Sequence, residues 1–183
     1  PFGNGFWKIA SNTTRIARRE IGYVKQTVEV LTFDFMKADP VLGPIIAQHA
    51  PALFALVVVY GDTDSAVFVY NVEKASAVAA DVSMDFVADF SEALCHNIPR
   101  LSRKLGVGTI TGTLDVEILF SQIMGCTQSK TYAAVVQTRQ KDGSWITSTR
   151  TRGLAIVRKD RIPYVRRQQQ LAMDAVQTLT PTG

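Results

Sequence analysis

The order of apolar and polar residues predicts a long helix over residues 8–31. Apolar side chains recur there at steps of four and three residues, as on the buried face of an amphipathic helix: Ala17, Ile21, Val24, Val28 and Leu31. Three arginines, Arg15, Arg18 and Arg19, lie off this stripe. We interpret them as a solvated face, with proximity to phosphates as the alternative.

A second amphipathic helix is predicted over residues 72–95, where apolar residues step by four along one face: Val78, Val82, Phe86, Phe90 and Leu94. Asp81, Asp85 and Asp89 step by four on another face. Like charges at that spacing indicate a solvated face rather than a metal site. Pro99 and the glycines of residues 106–108 predict the end of this helical unit.

Between the two helices, Pro40, Gly43 and Pro44 predict a loop over residues 33–48. Two strands follow, over residues 54–60 and 66–70, joined by a short polar turn that predicts a tight hairpin. The first strand is apolar at nearly every position, which predicts burial on both faces, as in the centre of a sheet.

The second half of the chain has mainly β patterning over residues 109–154. Polar and apolar residues alternate from Thr111 to Phe120, and a strand is predicted over residues 132–137. A turn at residues 141–143 leads to a strand over residues 145–151. A helix is predicted over residues 162–179, with Pro163 in its first turn. The fold class expected from this pattern is α+β, with an antiparallel sheet backed by the two long helices.

The hairpin turn contains two carboxylates, Asp62 and Asp64. Residues two apart on extended backbone point to the same face, and adjacent carboxylates repel each other unless a cation lies between them. Mg²⁺ is bound through one or two carboxylates plus substrate phosphates, so the turn indicates a metal site that handles phosphate. A solvated turn is the alternative. A calcium loop is excluded, because Ala66 and Val67 stand where an oxygen ligand and a glycine are required.

Composition adds a charge asymmetry to this picture. The 183 residues are 46% hydrophobic and 20% charged, as in ordinary globular domains. The net charge of +4 divides into −4 for residues 1–99, with seven basic and eleven acidic residues, and +8 for residues 100–183, with thirteen and five. The basic half is a candidate surface for a nucleic-acid backbone, and a solvated basic surface is the alternative.

Other chemistries find little support in the sequence. Cys95 and Cys126 lack the spacing of a zinc or redox pair, which fits a reducing compartment. His49 and His96 stand alone, so each is expected at the surface or as a satisfied buried group. The longest apolar run, residues 50–60, is too short to span a bilayer. No Walker loop or dinucleotide glycine motif is present.

Three motifs, in the expected order, resemble family B DNA polymerases. Residues 60–65 read Tyr-Gly-Asp-Thr-Asp-Ser, the family's motif C. Residues 129–133 resemble its Lys-Lys-Arg-Tyr-Ala segment, and residues 152–160 resemble its Lys-Gly-x-Glu-x-x-Arg-Arg-Asp segment. Residues 9–30 are similar to the helix that precedes motif C. The resemblance covers about residues 9–170.

The chain departs from the family pattern at several positions. Ser129 and Thr131 replace basic residues, Ala155 replaces a glutamate, and Arg152 and Lys159 are exchanges between basic residues. The family's motif A, with its other metal-binding aspartate, and its motif B are not found. We therefore expect a piece of a longer polymerase that begins just after motif B and is inactive by itself.

The resemblance implies a function for each motif. It implies a palm over residues 1–160 and the start of a helical thumb over residues 161–183. Asp62 and Asp64 would be the catalytic residues that bind two Mg²⁺ ions, with Asp64 the principal ligand. Tyr60, Gly61 and Thr63 would lie at the nucleotide and primer terminus. The expected DNA-binding residues are Lys130, Tyr132, Arg152, Gly153, Arg158 and Lys159, with Arg161 as a further candidate.

The implied partners are primer-template DNA, a deoxynucleoside triphosphate and a processivity factor, with no membrane. The implied location is intracellular, and the host nucleus for a DNA virus that replicates there. Two alternatives remain open. One is a polymerase-like piece retained for binding or structure only, and the other is a non-catalytic nucleic-acid-binding module of unrelated fold with a basic C-terminal half. A stacking platform of aromatic side chains would favour the module, and Tyr132 is its only candidate.

Overall fold

The chain divides into two compact units, Pro1–Val116 and Glu117–Gly183. The computed structural model describes residues 4–49, 53–61, 64–71, 82–125 and 131–152, together with residues 163, 164, 167, 168, 170, 171 and 174. Within these residues the first unit has helices and a two-stranded hairpin, and the second has a three-stranded sheet. The fold is α+β, as predicted, with two small sheets rather than one.

The first helix, α1, spans Asn4–Val30, close to its predicted bounds. Its apolar stripe is buried at Ile21, Val24 and Val28. The buried hydroxyl of Thr27 donates a hydrogen bond to the Tyr23 carbonyl at 2.6 Å, which satisfies it within the helix. All three arginines off the stripe are exposed, as both a solvated face and proximity to phosphates require.

The segment predicted as a loop over residues 33–48 contains two short helices, so that prediction was wrong. Helix α2 spans Phe33–Ala38 and helix α3 spans Leu42–His49. The Thr32 side chain caps α2 by accepting a hydrogen bond from the Phe35 amide at 3.2 Å. Pro44 lies in the first turn of α3, where a missing amide hydrogen costs nothing. The prolines and the glycine of this segment therefore mark a helix start rather than a loop.

Asp39 connects this segment to the next helix. Its carboxylate accepts hydrogen bonds from the amides of Val41 and Leu42, at 3.0 and 3.3 Å. Nη2 of Arg100 donates to both carboxylate oxygens, at 2.7 and 2.9 Å. The Asp39 side chain is 0% exposed and that of Arg100 is 36% exposed. Burial alone would raise the pKa of Asp39, but these donors outweigh it and lower the pKa.

Helix α4 spans Met84–Lys104, after an N-cap at Ser83. It continues through Pro99, which was predicted to end the unit; residues 72–81 of the predicted helix lie outside the described part. One buried face runs past the proline: Phe86, Phe90, Leu94, Ile98 and Leu101. Proline costs about 3 kcal/mol inside a helix, and burying a large aliphatic side chain contributes roughly 1.5–3 kcal/mol. Burial of Ile98 and Leu101 thus offsets the cost of Pro99.

An aromatic cluster joins α4 to the hairpin. The ring of Phe54 lies 5.4 Å from Phe33, 5.5 Å from Tyr70, 5.4 Å from Phe86 and 5.5 Å from Phe90, measured between ring centroids. Phe54 is almost fully buried. Mixed edge-on and tilted ring pairs of this kind stabilise beyond their buried area. The cluster fixes the position of the hairpin against α4.

Residues 109–118, predicted to begin the β region, form no strand. Side chains of two helices bind the start of this segment and Gly108 just before it. Glu20 of α1 accepts hydrogen bonds from the Thr111 hydroxyl at 2.5 Å and from the Gly112 amide at 3.1 Å. The hydroxyl of Ser102 in α4 donates to the Gly108 carbonyl at 2.8 Å. The hydrogen bond from Thr111 is the main cause of a lowered pKa for Glu20.

The second unit is an antiparallel sheet in the order β3, β4, β5, with strands at Leu119–Gly125, Tyr132–Arg139 and Trp145–Arg152. Gly143 has a φ of +86° in the turn between β4 and β5, which confirms the predicted hairpin. The described residues between 163 and 174 are helical, as predicted for residues 162–179. None of the described helices has the length and apolar character needed to cross a membrane.

Candidate active site

The two aspartates of the sequence motif belong to a tight hairpin. Strand β1 spans Ala55–Gly61 and strand β2 spans Ala66–Asn71, and they pair antiparallel with Gly61 opposite Ala66. Four residues, 62–65, therefore connect the strands. The register shifts between Val58 and Tyr60, so that β1 has one residue more than β2 near the tip.

The prediction that β1 is buried on both faces was wrong. Leu56 is buried, but Val57 and Val59 on the other face are 39% and 51% exposed. Apolarity at every position led to that prediction. Within the described residues β1 pairs with β2 alone, and α1 and α4 contribute the core beneath its other face. An apolar strip on one face of the hairpin is left open.

Of the two aspartates, the structure describes Asp64. Its side chain is exposed just before β2, next to the exposed Ser65. Asp62 and Thr63 lie outside the described residues, and so does the side chain of Tyr60. The described residues include no group of three or more His, Cys, Asp or Glu side chains arranged to hold a metal. An exposed carboxylate at a hairpin tip fits a hard cation such as Mg²⁺, which takes its remaining ligands from water and phosphates.

Gly61, at the end of β1, is contacted by a residue that sequence reasoning missed. A Cβ atom built on Gly61 would overlap Cε and Nζ of Lys25, a half-buried residue of α1. The next nearest atom is the Ser65 carbonyl oxygen, at 3.3 Å from that Cβ position. The lysine side chain thus occupies the space left by the glycine. Periodicity places Lys25 beside the apolar stripe but gives no sign of this contact.

Two of the predicted DNA-binding residues are neighbours in the second unit. Tyr132 at the start of β4 pairs with Arg152 at the end of β5. The half-buried Tyr132 ring packs against Phe120 of β3, with 6.1 Å between centroids, while Arg152 is exposed. The other predicted positions, Lys130, Gly153, Arg158, Lys159 and Arg161, lie outside the described residues.

Strand β5 adds a basic residue that sequence reasoning did not single out. Arg150 lies opposite Ala134 and is exposed. Since side chains alternate along a strand, Arg150 shares a face with Arg152 and, across the strand pair, with Tyr132. The alternation of Arg150 and Arg152 with Thr149 and Thr151 in the sequence was a signal that could have revealed this face.

The remaining titratable residues of interest have structural partners. Nε2 of His49 lies 3.2 Å from an Asp89 carboxylate oxygen, and His96 is exposed, 3.8 Å from Asp115. These positions confirm the prediction for both histidines. The pairing of Asp89 also agrees with a non-metal role for that residue. Burial raises the pKa of the Cys95 thiol to about 11, which makes it a poor nucleophile.

Comparison with known protein families gives a match over most of the chain. The family model described as DNA polymerase family B matches residues 6–180 of the chain. This range includes both described site regions, the hairpin with Asp64 and the pair of Tyr132 and Arg152. A search of curated proteins found no match to the chain.

Proposed function

Because the chain belongs to family B of the DNA polymerases, we propose that it takes part in template-directed nucleotidyl transfer from a deoxynucleoside triphosphate to a primer 3′-hydroxyl. The observation that supports this most directly is the exposed Asp64 at the tip of the β1–β2 hairpin, within the motif Tyr-Gly-Asp-Thr-Asp-Ser. The aromatic core below the hairpin fixes its base, so the tip can present carboxylates in one orientation.

In this proposal Asp64 and Asp62 hold the metal ions at the primer terminus. When bound, two Mg²⁺ ions would activate the primer 3′-hydroxyl for attack and neutralise the negative charge on the leaving pyrophosphate. The chain's own contribution is to place carboxylate oxygens at a solvent-open tip and to keep them there. Exposure of Asp64 gives the triphosphate access to the same site.

The open apolar strip on β1 supports a further part of this proposal. Val57 and Val59 are exposed beside the site, although exposed apolar residues on a strand are normally covered in a complete sheet. We propose that the segment carrying motif A, which is not found in these residues, packs over this strip. Its aspartate would complete the metal ligands.

In the second unit, the shared face of Tyr132, Arg150 and Arg152 is proposed to contact the backbone of the primer-template duplex. Arginine side chains donate to phosphate oxygens, and a tyrosine packed on a sheet can direct its hydroxyl to the same backbone. Lys130, two residues before Tyr132, is proposed to reach minor-groove acceptors near the primer end, because these are present at every base pair.

The test uses a polymerase that contains this chain together with the motif A and motif B segments. Asp64→Asn keeps the shape of the side chain and removes its charge. We expect single-turnover primer extension with Mg²⁺ to fall at least about a thousandfold, the scale expected for an essential electrostatic group, while primer-template affinity stays within about twofold. Asp34→Asn, the same change at an exposed position of α2, should leave both unchanged.

A non-catalytic nucleic-acid-binding function is the second candidate, favoured by the exposed arginines of β5. It predicts that Asp64→Asn leaves extension close to that of the unmodified protein, while removal of the arginines weakens DNA binding. Near-native extension by Asp64→Asn would therefore reject the metal assignment and leave the binding function.

A further inference from the structure

An arginine and an aromatic ring meet at the turn end of the β4–β5 hairpin. Arg139 is the last residue of β4 and pairs with Trp145, the first residue of β5. The Cζ atom of Arg139 lies over the Trp145 ring, 6.0 Å from the ring centroid. Arg139 is exposed and Trp145 is half-buried. The guanidinium group therefore lies over the ring at the surface of the sheet, where cation and ring attract each other.

This pair lies on the face of the sheet opposite the proposed duplex contact. The register of β4 and β5 is continuous from Tyr132, which pairs with Arg152, to Arg139, which pairs with Trp145, a step of seven residues. Because side chains alternate along a strand, an odd step places the two pairs on opposite faces. Seven residues of strand also separate them by about 23 Å. The Arg139–Trp145 pair is thus a separate feature of the second unit.

Hydrogen-bonding side chains continue this face across all three strands. Gln137 and Thr147 form the next pair on the same face, and the Thr147 hydroxyl donates to Oε1 of Gln137 at 3.1 Å. Nε2 of Gln137 donates to the Ser121 hydroxyl oxygen of β3, also at 3.1 Å. Thr147 and Ser121 are exposed. A hydroxyl that accepts one hydrogen bond can still donate its own hydrogen, so this row offers polar contacts to a ligand that lies across the sheet.

The charge near the pair favours an anionic ligand. Residues 139–145 contain two basic residues, Arg139 and Lys141, and one acidic residue, Asp142. Lys141 is exposed in the turn. The Asp142 carboxylate accepts hydrogen bonds from the amide and the hydroxyl of Ser144, at 3.0 and 2.7 Å, so it is bound within the turn. The balance at this end of the hairpin is therefore positive.

Among anionic ligands, a single strand of nucleic acid uses both the charge and the ring. A base can stack on an aromatic ring or on a guanidinium plane, while a neighbouring phosphate lies close to the same arginine. Bases of a duplex are paired and stacked on each other, so their faces are not available to Trp145. An acidic peptide would use the charge of Arg139 and leave the ring without a role.

We propose that the Arg139–Trp145 pair binds single-stranded nucleic acid, with a base stacked against the pair and phosphates next to Arg139 and Lys141. The site uses neither the metal-binding turn nor the opposite face of the sheet, so it can fail or hold independently of both. Template-directed synthesis supplies such a strand, because the template beyond the primer end is unpaired.

Fluorescence of Trp145 in the full chain measures this contact directly. The chain has two tryptophans, so Trp7→Phe leaves Trp145 as the only indole. We expect an oligothymidylate of about eight nucleotides to quench the emission, because its bases can stack on the indole. A strand of the same length without bases should leave the emission unchanged, and so should polyglutamate. Absence of quenching by the oligothymidylate, or equal quenching by either control ligand, would overturn the proposal.

Variants of the pair separate stacking from charge, with binding measured by anisotropy of a labelled oligothymidylate. Trp145→Ala should weaken binding about tenfold, as expected for loss of one stacked base, whereas Trp145→Phe keeps a ring and should stay within about threefold. Arg139→Gln should lower the slope of log affinity against log salt by about 0.7, the value for one phosphate of a single strand. Ile146→Ala, an exposed position on the other face, is the matched control. Unchanged affinity in Trp145→Ala would contradict the stacking contact.

Circular dichroism of each variant distinguishes loss of the site from loss of the sheet. If Trp145→Ala does not fold, the quenching titration and the salt slope of Arg139→Gln decide the question. The double variant Arg150→Ala/Arg152→Ala tests independence from the opposite face. It should keep the quenching of Trp145, whatever its affinity for duplex. Loss of quenching in the folded double variant would place the single strand on the basic face, and the proposal would fall.

Discussion

The two units differ in where their side chains are buried. In the first unit the large apolar residues of the helices and the hairpin meet in one core, with Phe54, Phe86 and Phe90 almost fully buried. Among the described residues of the second unit, the buried ones are Ala133, Ala134 and Val135 in the middle of β4, and β5 is exposed along most of its length. The first unit has a packed core beneath its hairpin, and the second has an exposed strand with two arginines.

This difference suits the two roles proposed above, a metal site in the first unit and a nucleic-acid-binding surface in the second. A metal site requires carboxylates held to within a fraction of an ångström, and a packed core provides that precision. A nucleic-acid backbone is recognised mainly by charge, which an exposed strand can supply without a large core.

Removing the central ring of the first core should have the largest effect on stability. Phe54→Ala should lower the free energy of unfolding by about 3–5 kcal/mol, because it deletes a ring that packs against several others. Urea denaturation of the chain measures this. Ile146→Ala in β5, where the side chain is 52% exposed, should cost less than about 0.5 kcal/mol. Similar decreases for the two variants would contradict the difference between the units.

Breaking the buried charge pair of the first unit should come next. Asp39→Asn should cost about 2 kcal/mol near neutral pH, because it removes the charge that pairs with Arg100 and weakens two amide hydrogen bonds. The folded-state pKa of Asp39 is lowered, so its stabilising contribution is complete above the unfolded value of about 3.9 and is lost as the pH falls through the folded-state pKa.

Urea denaturation of the unmodified chain and of Asp39→Asn over a range of pH checks this sign. The difference in unfolding free energy should be constant above about pH 5 and should shrink below about pH 4. Asp34→Asn, at an exposed position, is the control. A difference that grew on acidification would show that the charge of Asp39 does not stabilise the fold.

The surface role of the second unit is tested by its arginines. The double variant Arg150→Ala/Arg152→Ala should bind primer-template more weakly, and the slope of log affinity against log salt should fall by about two, because each arginine that neutralises a phosphate adds roughly one unit to that slope. Fluorescence anisotropy of labelled duplex at several salt concentrations measures the slope. Arg103→Ala, at an exposed position of α4, should leave the slope unaltered. An unchanged slope in the double variant would remove β5 from the DNA-binding surface.

The smallest effect on the free energy of unfolding is expected from backbone strain, which we test at one glycine in each unit. Gly106 and Gly143 have φ of +70° and +86°, and a Cβ on either would meet open space. Gly106→Ala and Gly143→Ala should therefore each cost about 1 kcal/mol through strain alone. Urea denaturation compares them. A much larger decrease in stability at either position would indicate packing that the open space does not contain.

Patterns within short stretches of the sequence predicted one long helix and both hairpins. The steps of three and four residues located α1, and the polar turns located both hairpins. The short helices α2 and α3 were missed because Pro40, Gly43 and Pro44 are ordinarily helix breakers, whereas here Pro44 lies in a first helical turn. The alternation from Thr111 to Phe120 suggested a strand from its start, but Glu20 binds Thr111 and Gly112 there instead.

The site was predictable only in part for the same reason. Motif C identified Asp64, and the alternation in β5 contained enough information to identify Arg150. The contact of Lys25 with Gly61 joins residues that are 36 positions apart in the sequence. It depends on how α1 packs beside β1, which is a property of the folded core. A single sequence without its fold could not indicate it.

The extra residue in β1 also limits how the length of this strand can vary. Deleting Val59 would match β1 to β2 one for one. Because Val58 and Tyr60 pair with the adjacent residues Phe68 and Val67, the residues on both sides of the deletion would keep their partners and their faces. The bend that the extra residue introduces would be lost, so the turn would leave the sheet in a new direction. Deleting one more residue would shift the pairing by one and move the residues beyond it to the other face. Insertions and deletions should be tolerated at the turn over residues 140–144, and not between Val58 and Gly61.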